Sequence, residues 1–341
     1  MKIGIDVTQA VYGTGISGYV VELVRHLPQS ELVLFGTSLR RGGELQSLFP
    51  SAKIFPFPPT LMHYLWNVAH QVPPEWLVGK LDIWHSSDWA QPPTGAKKVT
   101  TVHDLTPWLY PVETDPQIVA VHQARMRWVV KECDQIICVS QNTASDLKRL
   151  FGISNDRIKV IYEAVPEAHK LTPQITKQAN YVVTIGARQP RKNISRLIEA
   201  FRKYKSKYNL PPKLIVIGES SHSAADAEIS FTGFVSDQQL VDLLAGASVF
   251  VYPSLYEGFG LPILEAFYHN VPVACSNTSA FPEVAGDAAV YFDPLSEEGI
   301  AKAMAEAIAN RAKLVTAGKT QLDKFSWEKT ARMTLKIYES V

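Results

Sequence analysis

Residues 249–276 constrain the fold of this chain more than any other stretch. Four apolar residues, Val249 to Tyr252, end at Pro253, the pattern of a short buried strand. Gly258 and Gly260 flank Phe259 in a loop where the backbone can come close to a ligand. Pro262 stands where a first helical residue would, since the N–H it lacks has no helical partner there. Asn270 and Pro272 stop that helix, and residues 271–275 form the next buried strand. A glycine loop that runs into a helix start is an anion site, because unpaired N–H groups and the helix dipole both favour negative charge. Glu257 precedes the loop and Glu265 lies one turn into the helix, so carboxylates frame the site. This suits a ligand with both phosphates and hydroxyls, as in a nucleotide sugar.

The rest of the chain repeats this unit. Residues 2–7 read as a strand, followed by a turn containing Gly13, Gly15 and Gly18 and by an apolar-periodic helix over 19–27. The turn is either a phosphate loop or a flexible connection. It is not the dinucleotide fingerprint, which needs a different glycine spacing and a ribose-binding acid about 20 residues on. Residues 31–35, 82–85, 98–102, 135–140 and 159–161 read as further strands, with helices over 117–132 and 142–151. His103 and Asp104 follow one strand directly, which places them at the carboxyl edge where open α/β sheets bind ligands; His85 and Asp88 end the preceding strand. Residues 50–74 are rich in proline and aromatics and read as a packed surface loop. The helix over 117–132 reads as basic and amphipathic.

Residues 163–180 read as an interdomain linker, giving domains over 1–165 and 166–326, with a last amphipathic helix over 327–341 placed to pack back on the first domain. In the second domain, strands are expected over 181–185, 213–217, 229–232 and 289–292, and helices over 194–204, 236–246 and 297–309. Asn193 and Ser236 are expected N-caps. Arg188, Arg191 and Lys192 crowd the loop after the first of these strands, beside a helix start, which favours phosphate binding over a solvated face. Strands alternate with helices twice over, so the expected fold class is α/β: two doubly wound Rossmann-like domains facing a cleft.

Composition narrows the function. The 341 residues are 46% hydrophobic and 20% charged, with a formal net charge of +1, so no basic field argues for nucleic acid. Three cysteines at spacings unlike a metal site argue against a zinc centre or a disulfide framework, and Cys138 and Cys275 lie in apolar runs as core residues would. No apolar run approaches the ~20 residues that span a bilayer, and a strand begins at residue 2 with no hydrophobic signal core. The expectation is a cytoplasmic protein, with peripheral contact at the inner face of the membrane allowed.

Glu257 and Glu265 are separated by seven residues, with Gly258-Phe259-Gly260-Leu261-Pro262 between them, Tyr252-Pro253-Ser254 before and Val271-Pro272-Val273 after. With these motifs the chain resembles the retaining GT-B glycosyltransferases of family 4, the bacterial sugar and mannosyl transferases, over nearly its whole length. The resemblance implies that Glu257 faces the donor sugar, that main-chain N–H groups at Phe259 to Leu261 meet the diphosphate or sugar, and that Glu265 accepts the ribose hydroxyls. It implies that Lys192, with Arg191 or Arg188, neutralises the diphosphate. Gly13 and Gly15 would approach the diphosphate, His103 the transferred sugar, and Gly233, Phe234 and Val235 the base. Many members carry arginine where this chain has Ala187, which leaves the choice between Arg188 and Arg191 open.

The implied catalytic set is Glu257, His103 and Lys192, with Asp104, His85 and Asp88 as acceptor-side candidates. No DxD-like metal site stands out, so metal independence is expected, with no cofactor beyond the GDP- or UDP-linked sugar substrate. The acceptor would be a glycan or a lipid-linked sugar in surface-polysaccharide assembly, and the resemblance leans towards GDP-mannose as donor. Two alternatives stand beside this reading: a nucleotide-sugar 2-epimerase of the same fold and a non-catalytic two-lobed sugar-binding protein.

Overall fold

The computed structural model describes residues 1–13, 15–175, 179–186, 189–219 and 227–341. The chain forms two compact units, Met1–Glu163 with Trp327–Val341, and Ala164–Ser326. The break therefore falls after Glu163 rather than after residue 165, and the final helix belongs to the first unit.

Among the described residues, the first unit holds seven strands: β1 (Ile3–Asp6), β2 (Leu32–Thr37), β3 (Lys53–Phe55), β4 (Ile83–Ser86), β5 (Lys97–Val102), β6 (Gln135–Cys138) and β7 (Ile158–Val160). Their order is β3-β2-β1-β4-β5-β6-β7 and every pair is parallel. The winding reverses between β1 and β4, and open α/β sheets bind ligands outside the strand ends at such a switch point. β1 and β4 are buried along their whole length, including Asp6, His85 and Ser86 at their carboxyl ends.

The second unit holds β8 (Tyr181–Ile185), β9 (Lys213–Ile217), β10 (Ile229–Phe231), β11 (Val249–Tyr252), β12 (Val273–Ser276) and β13 (Ala289–Phe292). Their order is β10-β9-β8-β11-β12-β13, again parallel throughout, with the reversal between β8 and β11. Its core gathers Val182, Leu197, Phe201, Leu214, Val251 and Met304. Cys133, Cys138 and Cys275 are free thiols buried in the two cores.

Local chemistry accounts for most element boundaries, and two expectations are corrected. Ser236 caps the Asp237–Ala245 helix in a full capping box with Gln239. Asn193 occupies the N-cap position of the Ile194–Tyr204 helix but makes no cap hydrogen bond. It adopts a left-handed backbone (φ 58°), and its amide donates to the carbonyls of Pro253 (3.1 Å) and Pro294 (2.7 Å), tying the cation loop to its neighbours. The proline-rich stretch is not a plain loop. It contains β3, a Pro59–His63 helix and a π-helical turn over Tyr64–Val68 that buries Met62 and Trp66. Trp66 packs edge-on to Trp84 at 5.9 Å and donates its indole N–H to the Val72 carbonyl at 2.9 Å. The prolines mask the apolar spacing from 62 to 66, which is one helical turn.

The Trp327–Ser340 helix buries Trp327, Thr330, Ala331, Thr334, Ile337 and Tyr338. Thr330 donates to the Tyr162 carbonyl at 2.6 Å, and Trp327 meets Tyr19 edge-on at 5.8 Å. The Tyr338 hydroxyl lies 2.5 Å from Nδ1 of His85, whose Nε2 meets the Thr101 hydroxyl at 2.9 Å, and Tyr19 completes the chain at 2.9 Å from Thr101. Tyr338→Phe removes one partner from a buried ring nitrogen. We expect a loss of about 1–3 kcal/mol, read as a lower urea midpoint at unchanged m-value.

Candidate active site

In the second unit the site is built on the carboxyl ends of β8 and β11, at the switch point. β8 runs into Gly186, and Pro190–Lys192 forms a single 3₁₀ turn before Asn193. Gly186 has φ 105°, and a Cβ there would sit 2.9 Å from the Lys192 stem, so only glycine lets that side chain cross the strand end. Lys192 Nζ reaches Oε1 of Glu257 at 2.7 Å, and Arg191 Nη1 reaches the same oxygen at 2.8 Å. The ammonium also donates to the Tyr252 hydroxyl at 2.9 Å and lies 5.1 Å from the centre of that ring. Arg191 donates to the Tyr256 carbonyl at 2.8 Å, while its own carbonyl accepts from the Leu255 N–H at 2.7 Å. Burial alone would raise the pKa of Glu257, but the Lys192 and Arg191 charges outweigh it and hold the carboxyl below its ordinary value. Ser279, in a left-handed backbone conformation, accepts from the Glu257 N–H and donates to its carbonyl, which fixes the main chain at this residue.

Glu265 is set apart from this cluster. It is buried on the Leu261–Tyr268 helix, and its Oε1 accepts from Nδ1 of His169 at 2.7 Å. Gly260 takes φ 103° at the N-cap of that helix, the conformation that turns a strand loop into a helix start. The Phe259 side chain is buried 5.9 Å from Phe325, so the ligand-facing potential of that residue rests on its backbone. Gly233, with φ 70°, bridges to Gly218, and Phe234 beside it is 87% exposed. Gly258, Leu261 and Val235 lie in the same two segments. Arg188 lies outside the described residues.

In the first unit Gly13 is left-handed (φ 68°), and the helix begins at Gly15, earlier than the apolar pattern indicated. Among the described residues, a Cβ at either glycine would meet nothing within 4 Å. His103 Nδ1 donates to Glu163 Oε1 at 2.8 Å, and its ring stands edge-on to Tyr19 at 4.6 Å. Burial opposes a charged ring at His103, but Glu163, aided by Asp88 and Asp104, overcomes this and raises its pKa. Asp104 accepts from the Thr106 N–H at 2.8 Å.

Two acceptor-side candidates are committed to internal partners. Both nitrogens of His85 are engaged as described above, and burial with the nearby His103 and Arg125 charges pushes its pKa down to about 3. Asp88 holds Arg125 at 3.2 Å through one oxygen and His122 at 3.4 Å through the other. Burial opposes its ionisation, yet the Arg125 charge, with the His122 contact, brings its pKa down to about 2. Arg125 is 0% exposed, so the helix that reads as basic carries one of its charges inward.

Glu163, His169 and Arg125 were not singled out in the sequence, and Tyr252 only as part of the motif before the glycine loop. Glu163 follows β7 at the carboxyl edge, a signal hidden by its place at the start of the linker. Among the described residues, no three His, Cys, Asp or Glu side chains are grouped to hold a metal, and no helix is long and apolar enough to cross a membrane.

A family model described as Glycosyltransferase Family 4 matches residues 13–169, and one described as Glycosyl transferases group 1 matches residues 167–321. The O-antigen chain mannosyltransferase B of Escherichia coli is 31% identical over 281 residues, which is 75% of this chain and 74% of that protein. The chain belongs to the family 4 glycosyltransferases. The O-antigen chain mannosyltransferase RfbU of Salmonella typhimurium is 32% identical over 209 residues, 58% of this chain and 57% of the relative. Among solved structures, Anabaena HepE in complex with UDP and glucose superposes with a TM-score of 0.74 at 16% identity over 100% of both chains. WaaG, a glycosyltransferase of lipopolysaccharide biosynthesis, gives 0.71 at 13% over 98% of this chain and 99% of that one. The fold of this glycosyltransferase is therefore GT-B, and nothing in these similarities supports the epimerase or binding-protein alternatives.

In this glycosyltransferase, Glu163→Gln removes the charge that holds the His103 proton. The His103 ring should then titrate at lower pH than in the wild type, because burial remains as the main influence, and NMR of the imidazole protons reads the change.

Proposed function

We propose that this chain moves a mannosyl group from a nucleoside-diphosphate mannose, with GDP as the preferred carrier, to a hydroxyl of a growing glycan in surface-polysaccharide assembly. The observation that carries this reading is the convergence of Arg191 and Lys192 on Glu257 at the β8/β11 switch point. Two cations against one carboxylate leave a net positive loop, and a diphosphate leaving group gathers negative charge as its bond to the sugar breaks. Fixed cations aimed at that charge lower the barrier without needing to reorganise. Lys192 and Arg191 are thus assigned the leaving-group charge, and the reaction is proposed to be metal-independent. The mannosyltransferases named above support the sugar, and relatives of fold such as HepE, solved with UDP and UDP-glucose, support a nucleoside diphosphate donor.

The same geometry supports retention by same-face attack. A retaining double displacement needs a carboxylate nucleophile. Glu257 is held by two cations with its pKa lowered, which weakens it as a nucleophile and suits it to accept hydrogen bonds from sugar hydroxyls. A phosphate oxygen of the leaving group would take the acceptor proton. Glu265 is assigned to the ribose hydroxyls and His103, held by Glu163, to the sugar. Membrane contact through a lipid-linked acceptor is part of the proposal.

A thermal-shift panel of UDP, GDP and their sugars, run in EDTA, tests the donor, since a ligand of the folded state stabilises by RT ln(1 + [L]/Kd). GDP and GDP-mannose should raise Tm most. A Tm that no nucleotide shifts would overturn the transferase assignment of this site, and a larger response to UDP would move the donor to uridine sugars. Glu265→Ala should weaken nucleotide binding, whereas Glu257→Ala should mainly lower kcat, by about 10²–10³-fold. Trapping of a covalent sugar on Glu257 or Asp104 would contradict same-face attack.

A further inference from the structure

We propose that His169 is a positioning residue for the nucleotide: it fixes the Glu265 carboxylate, and with it the ribose end of the donor site. The inference rests on the ribose assignment of Glu265 made above. His169 ends a single 3₁₀ turn, Glu167–His169, near the start of the second unit, far in sequence from the glycine loop. Two contacts one helical turn apart fasten that turn to the Leu261–Tyr268 helix and the residue that caps it. His169 Nδ1 donates to Glu265 Oε1 at 2.7 Å, and Nε2 of His269 donates to the His169 carbonyl at 2.9 Å. The Glu265 side chain is 4% exposed and the His169 ring 23%, so the carboxylate is the more deeply buried member of the pair.

A glutamate has three rotatable side-chain bonds, and a ligand that needs one rotamer must freeze the others. His169 freezes them beforehand by a charge-assisted hydrogen bond. One oxygen is taken by the imidazole, which leaves Oε2, and the second lone pair of Oε1, to meet vicinal hydroxyls.

The groups facing His169 explain why charge should matter. Glu265 meets Nδ1 from the helix on one side. Asp237, at the start of the Asp237–Ala245 helix, stands 3.6 Å from Nε2. His269 touches only the His169 backbone, and burial lowers the pKa of its own ring. On the same turn, Glu167 is paired with Lys170 at 2.5 Å. Burial disfavours the charged form of His169, but Glu265 and then Asp237 outweigh burial and raise its pKa. Below that pKa the ring is an imidazolium between two carboxylates; as pH rises through it, the charge is lost and the hold on Glu265 weakens to that of a neutral N–H donor.

The test measures UDP and GDP affinity by calorimetry for the full chain, with kcat and KM for the donor, between about pH 6.5 and 9. His169→Ala should weaken nucleotide binding about tenfold, the scale of one charge-assisted hydrogen bond, and raise KM with kcat at saturating donor little changed. His169→Asn places an amide N–H near the position of Nδ1. It should restore most of the affinity, and its affinity should lack the wild-type decline with rising pH; titration of the nucleotide phosphates is common to both proteins and cancels in the comparison. Glu265→Gln separates the two ideas. If Glu265→Gln binds nucleotide as well as wild type, the ribose assignment fails. If Glu265→Gln loses affinity while His169→Ala does not, or if His169→Asn keeps the wild-type pH profile, the positioning role is overturned. Unchanged urea midpoints in His169→Asn guard against misfolding as the cause.

Discussion

One oxygen of Glu257 is shared by Lys192 and Arg191, and the second unit is arranged to make that sharing possible. The three residues come from segments that follow two strands, β8 and β11, which are neighbours because the sheet reverses its winding between them. Each side chain needs help to arrive. Gly186 lets the lysine stem pass the end of β8, Asn193 ties the end of the turn to the Pro253 and Pro294 carbonyls, and Ser279 pins the backbone of Glu257. A buried carboxylate without its cations would be costly. Here the pair of cations keeps it ionised and the shared carboxylate keeps each cation oriented.

The first unit solves a similar problem with less exposure. Asp88 balances the buried Arg125, and Arg125 also donates to the Thr100 hydroxyl at 2.7 Å and the Thr101 carbonyl at 3.1 Å. His85, Thr101, Tyr19 and Tyr338 form a second chain that bonds the last helix of the protein to its fourth strand. These groups sit beside the β1/β4 switch point, where the sequence suggests ligand contacts. Internal bonding claims His85 and Asp88, whereas His103 remains the side chain of this edge whose known polar partner, Glu163, raises its charge rather than suppressing it.

How much of this was legible depended on the range of the signal. Runs such as Val249 to Tyr252 declare buried parallel strands because both faces are covered, and glycine with proline marks where each run stops. Glu257 and Glu265 were legible because their spacing around a glycine loop is local. Lys192 and Arg191 were legible as a cation loop at a strand end. Arg125 was not, because a charged residue on a helix is ordinarily solvated and only a partner 37 positions away makes burial tolerable. His169 was not, because it lies 96 positions from the carboxylate it holds.

The amino-acid order alone was enough to establish two α/β halves, the place of the glycine loops and the identity of the paired glutamates, since periodicity, turn residues and motif spacing act within a few residues of themselves. It could not say which partner each charge would take. That choice was made when parallel strands distant in sequence were laid side by side, giving Glu257 its two cations, Glu265 its histidine, and His85 and Asp88 their internal bonds. Pairing of buried charges is decided by proximity within a few ångströms, and such proximity exists only once the sheets have formed.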